Sequence, residues 1–257
     1  MALDWALTTL VDPDYQWLEV DSTTWAVDDI VIGKVDGTLI CCQCKKNQPE
    51  FTAWSVADLA DELDKASRLL TSNPQAEVRF YSRSPFGALG KLREHSTTQP
   101  DEVSYLTSLT QPHKKTDEAL AALLVKTQSL STYDFLRRTT FETSHELDRM
   151  EALLRERLHR LASNANVAYD ALWRRLSHLG ARLPSSQSES ISAQHRLSKD
   201  NLKALLSDVG ATLVPIMSLA EIRASFSSTS VIGRAWRRDI AGQRISSPRR
   251  VRTARRD

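Results

Sequence analysis

Residues 36 and 37 read Asp-Gly, and they stand between two runs of strand-forming residues, VDDIVIG and LICCQCK. Asp-Gly at such a place signals a hairpin, because glycine reaches the positive φ that a tight turn needs. No other feature constrains the fold as much. The turn pairs residues 27–33 with residues 39–45 antiparallel, and residues 17–20 precede them as a short strand ending in acid. Side chains alternate along a strand, so Leu39, Cys41, Gln43 and Lys45 share one face. Gln43 and Lys45 then lie near the level at which Asp29 opens its strand. An acid, an amide oxygen and an ammonium on one sheet edge can hold a divalent cation and a polarised water.

The rest of the chain alternates helix and strand, then turns helical. Residues 2–11 carry Leu3, Ala6 and Leu10 on one stripe, and Asp12-Pro13-Asp14 stops that helix. Ser55 to Asp58 is a capping-box variant, and Val56, Leu59, Leu63, Ala66 and Leu70 follow at helical steps. Asn73-Pro74 ends this helix. Residues 77–82, EVRFYS, read as a strand, and strand–helix–strand order places it parallel beside residues 39–45. Pro85 marks the first turn of another helix. From Asp101 onward short helices are expected at residues 104–110, ending before Pro112, and at residues 115–129. Ser131 and Asp134 cap another, and residues 143–162 form an amphipathic one. Residues 184–194, PSSQSESISAQ, are a linker by composition; Ser198 caps a helix that Gly210 stops. Residues 218–226 open on a second capping box, and the arginine-rich end has almost no core residues.

Composition narrows the function. No run approaches ~18 apolar residues, so no membrane span is expected. The first ten residues lack a basic region and carry Asp4, a poor signal peptide, which points to the cytoplasm. Cys41, Cys42 and Cys44 crowd one strand. Cys41 and Cys44 face opposite sides there and have no second pair to complete a zinc site, so they read as buried thiols. The six histidines show no HExxH spacing and no GxSxG elbow occurs, which removes zinc and serine hydrolases. Residues 1–64 hold thirteen acids against three lysines, whereas residues 234–257 hold nine arginines against two acids. The acidic half needs a metal, or cations from later helices, to approach a phosphate.

The ordered set of acid-ended strand, DD-apolar strand, DG turn, QCKK, helix and VRFYSRS resembles the PD-(D/E)XK nuclease core in its D…QxK form. In detail it is similar to the nuclease effector domain of bacterial antiphage systems of the CBASS, Lamassu and AVAST types. The resemblance implies an α/β (α+β) fold, a restriction-endonuclease-like mixed sheet flanked by helices and followed by a mainly helical region. It implies a nuclease-like core at 1–100, a helical extension at 101–183, a linker at 184–196, a small helical segment at 197–240 and a disordered basic tail at 241–257. No sensor or ATPase domain is expected downstream. The implied function is metal-dependent endonucleolytic cleavage of double-stranded DNA in antiphage defence. Asp29, Gln43, Lys45 and Glu19 are the catalytic candidates, with Asp21 as understudy to Glu19. Mg²⁺, or Mn²⁺, would be held by Asp29, the Gln43 amide oxygen and the Cys44 backbone carbonyl. Asp28 is the alternative to Asp29, which directly precedes the apolar run. Lys46, Arg83 and Lys91 are the candidates for the DNA backbone. The expected partners are duplex DNA and further copies of the chain or a sensor/ATPase subunit. The alternative is an inactive or truncated nuclease-like adaptor, or a DNA-binding protein, working through its helical, arginine-rich part.

Overall fold

The Asp-Gly turn forms, with Gly37 at φ 87° and the Thr38 N–H donating to Asp36 Oδ1 at 2.9 Å. A computed structural model describes residues 1–22, 24–45, 53–125, 130–180 and 195–214. The turn joins β2 (Ile30–Lys34) to β3 (Leu39–Lys45), and β1 (Tyr15–Val20) pairs antiparallel on the far side of β2. The helix α1 (Ala2–Val11) precedes them. Helix α2 (Ala60–Ser72) carries the chain over to β4 (Ala76–Ser82), which lies parallel to β3 with Cys42 opposite Arg79. A parallel pair needs such a crossover. Ser55 and Asp58 bond each other reciprocally, but only as a turn before α2.

Four helices follow: α3 (Gly87–Thr98), α4 (Glu102–Ser108), α5 (Gln111–Leu124) and α6 (Thr132–Arg137). Pro85 lies before α3 rather than inside its first turn, and Pro112 opens α5. Next comes β5 (Thr139–Thr143), parallel to β4, then α7 (Leu147–Leu161) and α8 (Ala165–Gly180). The helix expected from residue 143 is therefore shorter, because the β-branched TTFET run joins the sheet. A three-residue strand, β6 (Arg196–Ser198), pairs antiparallel with β1, and Ser198 then caps α9 (Lys199–Asp208) through a full capping box with Asn201. The sheet runs β5-β4-β3-β2-β1-β6, a mixed sheet flanked by helices. Residues on both sides of the expected linker thus belong to one sheet. Residues 181–194 and 215–257 lie outside the described residues, as do the linker and the C-terminal readings made on them.

Strand alternation splits the core between two faces. Leu18, Ile30, Ile32, Ile40 and Cys42 pack with α1, α7, α8 and α9. Val31, Cys41, Val78 and Phe80 pack with α2, α3, α5 and α6. Arg138, between α6 and β5, ties the second layer together. Its guanidinium donates to the carbonyls of Leu70 at 2.8 Å, Asn73 at 2.5 Å and Ala76 at 3.0 and 3.2 Å. One planar fork thereby satisfies the end of α2 and the start of β4. Arg138→Met strips donors from all three carbonyls and should cost about 2–3 kcal/mol. The check is urea unfolding, where the midpoint should fall at constant slope; an unchanged midpoint would show that water replaces the fork.

Candidate functional site

Where β2 begins and β3 ends, the antiparallel ladder opens and Asp29 fills the gap. Its Oδ2 accepts the Cys44 N–H at 2.5 Å and the Gln43 Nε2 amide at 2.6 Å. The structure so brings Asp29 and Gln43 together, with the amide nitrogen, not the oxygen, turned to the carboxylate. At Cys44 the group engaged with Asp29 is the backbone N–H. A groove of about 460 Å³ opens there, lined by Asp21 and Asp29, by Lys45, by Tyr81 to Arg83 at the end of β4, and by Leu147 and Met150 of α7.

Two of the acids are held against their charge. Burial raises the Asp29 carboxyl above the usual carboxylate range, and Asp28 and Asp21 push it further, although the bonds from Cys44 and Gln43 oppose them. Burial likewise raises Asp21, with Asp28 adding to it and His195 working the other way. Asp21 enters the groove because it leaves β1 with φ 49°, which breaks the alternation of the strand. Burial also lifts the thiols, Cys41 to about 12 and Cys44 to about 11, so both stay protonated and inert.

The cations are partly spoken for. Lys45 lines the groove, but its Nζ is ion-paired with Glu62 of α2, and both side chains are largely buried. Its ammonium also sits 6.0 Å from the centre of the Trp54 ring. Arg83 pairs with Glu146 at 3.3 Å, and Glu146 is 76% exposed. An exposed pair of that kind is worth about 0–1 kcal/mol, so Arg83 is easily released to an incoming anion; Lys45 is not.

Glu19 is elsewhere. Its carboxylate is fully buried, accepts from Ser22 Oγ at 3.1 Å and meets Arg196 of β6 at 3.4 Å. Arg196 at the same time stacks 3.8 Å from the centre of the Trp17 ring. Glu19 fastens β6 to β1 and does not line the groove. Lys91 is an exposed residue of α3 and does not line it either; Lys46 falls outside the described residues. Among the described residues, no three His, Cys, Asp or Glu side chains are arranged to hold a metal ion, and no helix is long and apolar enough to cross a membrane. Sequence reasoning missed Glu62, Tyr81, Leu147 and Met150. The placement of α2 and α7 brings Glu62, Leu147 and Met150 here, and the parallel register of β4 sets Tyr81 opposite Cys44.

No protein-family model matches the chain, and no curated protein matches it by sequence. Solved structures do match. Two are structures of the Acinetobacter baumannii Cap4 SAVED/CARF-domain containing receptor, one of them with the cyclic trinucleotide 3'3'3'-cAAA. Each is similar at a TM-score of 0.51 and 12% identity over 81% of this chain. The chain spans 43% and 44% of the length of those receptors. At this identity the likeness establishes the fold.

These neighbours correct the resemblance drawn from sequence. They are described as SAVED/CARF-domain containing receptors, not as PD-(D/E)XK nuclease effector domains, and the ligand named with one of them is a cyclic trinucleotide. The reading as a duplex-DNA endonuclease is corrected with it, and so is the adaptor or DNA-binding alternative. The site has a physical reason for this. The lysine meant to orient an attacking water is neutralised by Glu62, and Glu19 is locked in a structural ion pair.

The raised Asp29 carboxyl has a consequence for stability. A raised folded-state value favours the protonated form, so the folded state is penalised as pH rises above the ordinary carboxylate range. Asp29→Asn keeps an acceptor for Cys44 and removes the buried charge. In metal-free buffer the variant should therefore melt above the parent at pH 7, with each kcal/mol recovered appearing as about 2–4 °C. The difference should close as pH falls below the ordinary aspartate value of about 3.9. A variant that melts lower at pH 7 would show that the carboxylate charge is needed by its donors.

Proposed function

We propose that this chain is a cytoplasmic module of a receptor that answers a cyclic oligonucleotide in antiviral defence. Its groove at Asp29 binds a phosphodiester of that ligand. The observation that carries the reading is the groove itself: two carboxylates, Asp21 and Asp29, face an easily released guanidinium, Arg83, in about 460 Å³. It lies on a fold shared with receptors described as SAVED/CARF-domain containing, one with a cyclic trinucleotide.

The two carboxylates would repel a phosphate unless a divalent cation stood between them. The donor set fits such an ion. Mg²⁺ keeps several waters and takes one or two carboxylates plus ligand phosphate, rather than a cage made wholly of protein. Asp29, through the oxygen not bonded to Gln43 and Cys44, and Asp21 would hold it; the raised carboxyl groups of both are relieved by positive charge. When bound, the ion supplies charge neutralisation for the phosphate. Mn²⁺ suits the same oxygens. Gln43 fixes the Asp29 carboxylate, and Arg83 turns from Glu146 to a phosphate oxygen.

Titrating the full chain with 3'3'3'-cAAA, in Mg²⁺ and in EDTA, tests the reading. Binding should weaken at least tenfold on chelation, and by a similar factor in Asp29→Ala. Glu62→Gln frees Lys45 and should tighten binding several-fold. Absence of binding with Mg²⁺ present, or a preference for duplex DNA over the cyclic trinucleotide, overturns it.

A further inference from the structure

The opposite face of the sheet carries a groove of its own, of about 730 Å³, between α4 and α5. Residues 102 and 106 stand one turn apart on α4, and residues 117, 121, 124 and 125 follow one stripe along α5 and its C-cap, so the two helices form its walls. The walls include open apolar surface: Leu106 is 46% exposed and Val125 is 73% exposed. Exposed apolar side chains gathered in one concavity mark a surface that another polypeptide covers.

The ionisable residues that line this groove are Glu102 and Asp117, both acids. The Tyr105 hydroxyl donates to Asp117 Oδ1 at 2.7 Å and holds that carboxylate in place. Burial, and then Asp117 beside it, push the phenol well above its usual range, so it stays a donor. A carboxylate offers about four lone-pair positions, so the bond leaves Asp117 with acceptor capacity to spare. Among the described residues neither Glu102 nor Asp117 is ion-paired, whereas Glu62, Asp4 and Glu142 each meet a lysine or an arginine. Lys114 and Lys115 precede the stripe on α5 and do not line the groove. Unpaired acids between exposed apolar walls are the complement of a helix that is apolar on one face and basic at its margins. Such a helix lays residues i, i+3, i+4 and i+7 into a groove of this kind.

We propose that the α4–α5 groove docks a basic amphipathic helix of a partner protein. The Asp29 groove lies on the other face of the sheet, so this surface stands or falls independently of the phosphodiester reading. The experiment titrates a labelled helical peptide of about fourteen residues, with leucine at i, i+3, i+4 and i+7 and lysine on its other faces, with the full chain and follows fluorescence anisotropy. A second peptide carries glutamate in place of every lysine. The lysine peptide should bind about tenfold more tightly than the glutamate peptide, or better, with the margin narrowing as salt is raised. Leu106→Lys sets a cation in the exposed wall and should weaken the lysine peptide about tenfold with an unchanged melting curve. Asp117→Asn keeps an acceptor for Tyr105 and removes the charge; it should weaken the lysine peptide and not the glutamate one. Asp29→Ala, on the far face, should leave both affinities as they were. Equal affinity for the two peptides, or lysine-peptide binding that survives both Leu106→Lys and Asp117→Asn, overturns the proposal. So does sedimentation showing that the parent chain self-associates through this groove and that Leu106→Lys makes it monomeric, since the occupant is then a second copy.

Discussion

The groove exists because one carboxylate closes the open end of a β-ladder. Asp29 accepts from Cys44 and Gln43 where β2 has not yet begun and β3 is ending, so it takes the place of the next rung. Without an acceptor there, the Cys44 N–H would be an unsatisfied donor at a half-buried sheet margin, a loss of about 1–3 kcal/mol. The bond gained is charge-assisted, and it holds against the cost of bringing Asp29 in from water beside Asp28 and Asp21. A stable fold and a strained acid are thus two aspects of the same contact.

Around that contact the molecule is built asymmetrically. The layer containing α2 and α6 is fixed by Arg138, whose one side chain satisfies three carbonyls. The other layer, containing α1 and α7, carries the groove at Asp29 and the cavity beside it, and their wall residues Leu147 and Leu153 are 63% and 45% exposed.

The hairpin was legible in the sequence because turn chemistry and alternation agree there: Asp36-Gly37 sets the register and Ile30, Ile32, Ile40 and Cys42 fall on one face. The approach of Gln43 to Asp29 follows from that register. The fate of Lys45 does not, since Glu62 reaches it only through the placement of α2 after the crossover. Glu19 and Arg196 are separated by 177 positions, and no local pattern announces their pairing. Asp21 reaches the groove through a left-handed backbone conformation that a non-glycine residue seldom adopts. The strands β5 and β6 are five and three residues long; β5 has strand-forming residues of its own in TTFET, whereas β6 takes its strand character from the β1 it pairs with. A short degenerate motif such as D…QxK was therefore readable as geometry and misleading as identity.

One small element has a larger effect than its size suggests. The segment 196–198 lies along the outer margin of β1, where Trp17, Leu18 and Glu19 would otherwise present bare N–H and C=O groups. An uncovered margin of that kind is a template on which another polypeptide can add itself. Three residues near the far end of the described chain thus act as a selvedge on that margin, fastened there by the pair between the buried Glu19 carboxylate and the part-exposed Arg196 guanidinium.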